Sequence, residues 1–113
     1  MGQMHTVDTE IESQALAAVK VLSRFGAVRA AYLFGSHVEG TPDEWSDIDV
    51  AAFMEGIEQW DIHQHVAAMA LLMAKVGSDV ETHLFPASSL DNPPRGSFAE
   101  YILHHGIRIF EQR

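Results

Sequence analysis

The chain has 113 residues, 47% of them hydrophobic and 20% charged, a globular composition that excludes wholesale disorder. Seven basic residues against 16 acidic ones give a formal charge of −9, which repels phosphate backbones and excludes sequence-independent binding to DNA or RNA. There is no cysteine, so disulfides and thiolate zinc sites are excluded as well. At this length one hydrophobic core carries one domain, expected to span residues 1–113. The longest apolar stretch, residues 66–76, is too short for a bilayer and contains Lys75, so no membrane span is expected. The opening Met-Gly-Gln-Met-His-Thr has neither a basic nor an apolar signal region, and the expected location is cytoplasmic.

In chain order, Ile11, Ala15, Ala18, Leu22 and Phe25 recur at helical spacing and predict a helix over residues 9–25. Thr9 with Glu12 fits a capping box at its start, and Gly26 fits a left-handed residue at its end. Residues 28–34 are small, branched and aromatic and predict a mostly buried strand that stops at Gly35. A short helix or turn follows from Gly35 to Gly40, then a polar loop, then a second strand over residues 47–53. Ile62, Val66, Met69, Met73 and Val76 are spaced four, three, four and three, predicting an amphipathic helix ended by Gly77. On this pattern Met69 and Met73 fill the core. Residues 79–85 alternate and predict a third strand. Asn92-Pro93-Pro94 forces a loop, Ser97 with Glu100 makes a second capping box, and a helix runs to His105 before Gly106. Residues 107–110 predict a last short strand. The fold class is α/β (α+β), a small mixed sheet of about three to five strands flanked by helices.

Chemistry concentrates in Leu33-Phe34-Gly35-Ser36 and, ten residues on, Asp47-Ile48-Asp49. Side chains alternate along a strand, so Asp47 and Asp49 share one face while Ile48 enters the core. Two adjacent carboxylates call for a cation, and oxygen-only ligands suit a hard ion such as Mg2+. Gly35 and Ser36 lie where a strand ends and a helix can begin, so free backbone N–H groups make an anion site that a phosphate can approach closely. Asp79 and Glu81 are also two apart. If their strand neighbours the one carrying Asp47 and Asp49, one of them completes a three-carboxylate site for two Mg2+ ions about 3.5–4 Å apart. Glu81, flanked by Val80 and Thr82, is the first choice, and Asp79, which follows Gly77-Ser78, the reserve. His63 and His65 diverge by about 200° on a helix and do not form a metal pair.

Tyr32-Leu33-Phe34-Gly35-Ser36, Gly40 and Ser46-Asp47-Ile48-Asp49-Val50 together resemble the minimal nucleotidyltransferase domains of the DNA polymerase beta superfamily. The resemblance covers most of the chain, including the leading helix, the acidic strand at Asp79-Val80-Glu81 and the closing helix before Gly106. It implies that Asp47, Asp49 and Glu81 hold Mg2+, that Glu81 helps activate an acceptor hydroxyl, and that Gly35 and Ser36 bind the nucleotide's terminal phosphates. It also implies a setting, because small members stand beside a HEPN-class partner as antitoxins, and some transfer AMP from ATP to a tyrosine of the toxin. Members commonly carry arginine just before the glycine numbered here Gly40, where this chain has Glu39.

Two functions follow. The first is Mg2+-dependent transfer of a nucleoside monophosphate, AMP from ATP or the equivalent from another NTP, to a hydroxyl on a partner protein. So short a chain has little room for a separate acceptor-binding domain. The second is a non-catalytic antitoxin that neutralises a HEPN-like partner by binding, which the charge of −9 and Glu39 favour. Whether the helix faces also make a homodimer is left open by the sequence.

Overall fold

The structure, a computed structural model, describes residues 9–35 and 47–112. Ser36, Glu39, Gly40 and the turn-helix expected there lie outside the described residues. Within them the order is α1 (Thr9–Leu22), β1 (Val28–Phe34), β2 (Ile48–Met54), a 3-10 turn (Ile57–Gln59), α2 (Ile62–Lys75), β3 (Val80–Pro86), the one-turn α3 (Ser88–Asp91), α4 (Phe98–His105) and β4 (Ile107–Glu111). The strands form one four-stranded sheet in the order β3-β2-β1-β4. β1 runs antiparallel to both β2 and β4, whereas β2 and β3 are parallel. A parallel neighbour cannot be reached by a tight turn, and α2 supplies the crossover. This is the mixed sheet flanked by helices that the alternation of sequence patterns predicts.

Helices cover both faces of the sheet. On one, Ala15, Ala18, Val19 and Leu22 of α1 and Ala68 and Leu72 of α2 pack on Leu33, Ile48, Val50, Ala52 and Met54. On the other, Ala99 and Ile102 of α4 pack on Phe34, Ala51 and Phe53, with Phe85 and Leu90 at the margin. The alternation along β2 therefore sends even-numbered residues to α1 and α2 and odd-numbered ones, Asp49 included, to the α4 side.

Three local expectations are corrected. α1 ends at Leu22 and Gly26 is not left-handed; a side chain at Gly26 would instead press on the Glu55 carbonyl at 3.2 Å, so close packing selects glycine there. α2 is capped as a helix should be, by a reciprocal box between Asp61 and Gln64, and Gly77 follows it at φ +106°. Its buried side differs from the expected one. Ala68 and Leu72 face the core, while Ile62 (68% exposed), Val66, Met69 and Met73 form an exposed apolar stripe. The small Ala68 lets the helix axis come close to the sheet, which the larger stripe residues would prevent. In α4 the Ser97 hydroxyl accepts from the Glu100 N–H at 3.1 Å, but the Glu100 carboxylate takes the Gly96 N–H at 2.7 Å, so the box closes one residue early.

Candidate metal and phosphate site

The site is built by strand register. β2 pairs with β3 so that Asp49 stands beside Glu81, and with β1 so that Asp49 stands beside Phe34, the last residue before Gly35. The condition set by the sequence is thus met: the second and third strands are neighbours, and Asp49 and Glu81 project from the same face. Ile48 is buried in the core, as alternation requires. Gly35 closes β1 at φ +86°, and a Cβ placed on it would collide with a carboxylate oxygen of Asp49. Two separate constraints, left-handed backbone and the Asp49 carboxylate, exclude a side chain at this position.

A third donor joins the two carboxylates. His83 lies two residues beyond Glu81 and so shares its face, opposite the small Ala51. Its Nε2 is 3.7 Å from an Asp49 oxygen and 3.7 Å from a Glu81 oxygen. One donor atom from each of Asp49, Glu81 and His83 falls within 4.8 Å of the others. The imidazole ring is wedged edge-on against Phe34 at 5.1 Å and Phe98 at 5.8 Å between centroids. The sequence reading passes over His83, although the period-two rule that selects Glu81 also places His83 on the same face.

The other expected residues are placed differently. Asp47 is exposed and stands just ahead of β2. It lines a groove of about 340 Å3 with Met69, Leu72, Met73 and Glu81, at the margin of the Asp49–Glu81–His83 group rather than inside it. Asp79 ends the turn before β3, where its carbonyl accepts the Ile48 N–H at 2.8 Å. Its backbone thereby ties β2 to β3 at the end where the site lies.

Electrostatics set Asp49 apart. Burial pushes its carboxyl up from the ordinary value, and the charge of Glu81 pushes in the same direction. His83 draws it back down, and Asp47 adds a last upward contribution. Half-buried Asp49 against exposed Glu81 is an acidic pair that costs free energy while no cation lies between them. Donors bound to one ion by bonds of about 2.1 Å lie within about 4.2 Å of each other. The two 3.7 Å separations from His83 fit that limit, and the three donors all lie within 4.8 Å of one another.

Comparison with known proteins gives the fold a lineage. A crystal structure of a candidate nucleotidyltransferase from Sulfolobus solfataricus matches with a TM-score of 0.56 and 18% identity over 97% of this chain and 94% of that one. A toxin–antitoxin complex with AMP-PNP matches with a TM-score of 0.57 and 22% identity over 90% of this chain and 74% of that one. The toxin–antitoxin MntA–HpeT, in a form with two Asp-to-Glu substitutions, matches with a TM-score of 0.56 and 18% identity over 88% and 74%. At these identities the likeness shows the fold. No curated protein matches the sequence. The model of the family described as polymerase beta nucleotidyltransferase matches residues 17–113, which include both strands of the site, and the chain belongs to that family.

Proposed function

We propose that this domain transfers a nucleoside monophosphate, AMP from ATP, to a hydroxyl on a partner protein of the HEPN class, with Mg2+ held by Asp49, Glu81 and Asp47. The observation that carries the reading is the register that sets Asp49 beside Glu81 while Gly35 stands against Asp49. Gly35, assigned to phosphate, and Asp49, assigned to metal, lie against each other in that register. The toxin–antitoxin neighbour with AMP-PNP supports both an adenine nucleotide and a protein partner.

The chemistry asked of the chain is in-line displacement at the α-phosphorus. The acceptor oxygen forms the new P–O bond, the bond to the bridging oxygen breaks, and pyrophosphate leaves. Bound Mg2+ would supply charge neutralisation at the attacking and leaving oxygens. Gly35 and Ser36 are assigned to the nucleotide's phosphate through their backbone N–H groups, and the missing side chain of Gly35 leaves the Asp49 carboxylate its space. Asp49, fixed on an inner strand, holds its carboxylate in place through the core behind it. Glu81 is exposed on the outermost strand and takes the acceptor's proton on a carboxylate oxygen.

The test uses ATP labelled at the α-phosphate, Mg2+ and a HEPN-class protein. Label should pass to the acceptor with the natural chain and not with the double variant Asp47→Asn, Asp49→Asn. Equal labelling by both would sink the mechanism.

A second reading, neutralisation of the same partner by binding without transfer, is favoured by the exposed stripe Ile62, Val66, Met69 and Met73 and the charge of −9. Calorimetry separates the two. Binding of ATP with Mg2+ that vanishes in the double variant supports transfer, whereas no heat at millimolar ATP supports occlusion.

A further inference from the structure

His83 is the group in this site that an all-carboxylate reading leaves without a purpose. Its Nε2 is buried and, among the described residues, has no hydrogen-bond partner. A buried polar nitrogen ordinarily finds a partner, because leaving one unmade forfeits its hydration. The carboxylate oxygens of Asp49 and Glu81 that face it stand at 3.7 Å, beyond hydrogen-bond reach of either. The ring cannot easily turn away, because Phe34 and Phe98 hold it edge-on from two sides. A nitrogen aimed at two carboxylate oxygens, equidistant from both, is in the position of a third ligand rather than of a hydrogen-bond donor.

We propose that His83 is a direct ligand of the divalent ion held by Asp49 and Glu81, and that its nitrogen gives this site a preference for Mn2+ over Mg2+. Mg2+ prefers oxygen ligands and keeps its own water, whereas imidazole nitrogen suits first-row transition ions, which bind mixed nitrogen and oxygen sites more tightly. The inference rests on the metal site of the proposed function and is independent of whether any group is transferred.

The test is direct ion binding to the purified chain without nucleotide. Mn2+ is followed by the loss of its free-ion paramagnetic resonance signal and Mg2+ by calorimetry. The natural chain should bind Mn2+ at least ten-fold more tightly than Mg2+. His83→Gln should lose ten-fold or more in Mn2+ affinity and less than three-fold in Mg2+ affinity, with His83→Asn as a second variant should the first fail to fold. In proton spectra, sub-stoichiometric Mn2+ should broaden the imidazole resonance that is missing from the variant before those of the six other histidines. Equal loss of both ions, no loss of either, no Mn2+ binding, or a His83 resonance that broadens no sooner than the rest would overturn the proposal. Mn2+ bound through His83 without transfer keeps this inference and removes the reaction. Transfer without His83 broadening does the opposite.

Discussion

Gly35 and Asp49 occupy one space: the volume a side chain at residue 35 would fill is taken by the Asp49 carboxylate. Gly35→Ala is therefore opposed by positive φ and by collision. Chemical denaturation should show a loss of about 1–3 kcal/mol. In an Asp49→Ala background the same change should cost less, with a coupling of about 0.5–3 kcal/mol. Strictly additive costs would mean that the two residues do not compete for this volume.

A divalent ion should stabilise the fold, because it relieves the repulsion of Asp49 and Glu81 and binds only the folded register. At 100-fold over its Kd the gain is about 2.7 kcal/mol, or about 10 °C in Tm. Chelation should return the Tm to its starting value, and Asp49→Asn should make the Tm insensitive to metal. A variant that kept the full metal shift would place the ion elsewhere.

Without metal, acidity should act in the opposite direction to the usual carboxylate. Asp49 has its folded-state pKa raised above the unfolded value of 3.8, so the folded chain holds this proton more tightly than the unfolded chain does. Its contribution to stability is complete below 3.8 and is lost as the pH rises through the raised value. Metal-free Asp49→Asn should accordingly melt higher than the natural chain at pH 7, by a margin that closes as the pH falls toward 3.8. A constant margin across that range would contradict the assignment.

The two apolar sides of α2 make contrasting predictions. Leu72 is 7% exposed and Met73 59%. Leu72→Ala should cost about 2–5 kcal/mol, whereas Met73→Ser and Val66→Ser should stay within about 0.5 kcal/mol. Urea titration of the three variants decides which side is buried, and the reverse ranking would mean that the stripe packs inward.

These results show which parts of the molecule could be read in advance. Short apolar runs were sufficient for β1 and β2, and alternation for β3 and for turning Ile48 inward, because the period of two leaves no choice of face once a core exists. The spacing from Gly35-Ser36 to Asp47-Ile48-Asp49 points to Gly35 and Asp49, which stand against each other, but the meeting of Asp49 with Glu81 depends on a parallel pairing between strands separated by α2. That register belongs to the tertiary structure. For α2 the period was right and the side wrong, since 62–66–69–73 and 65–68–72 are both helical stripes and the second packs through its smaller residues. His83 is not legible from histidine pairs at helical spacing; its signal is the period of two that it shares with Glu81 on β3.

The ladder between β1 and β2 closes at the Phe34–Asp49 pair, immediately before Gly35 on one strand and after Asp47 on the other. The span 36–46 is thus tethered at both ends to backbone that the sheet has already fixed. Doubling the length of such a connection costs only about 0.6 kcal/mol. Insertions or deletions between residues 36 and 46 should therefore leave Gly35 and Asp49 facing each other, because the pairing that sets them belongs to the sheet.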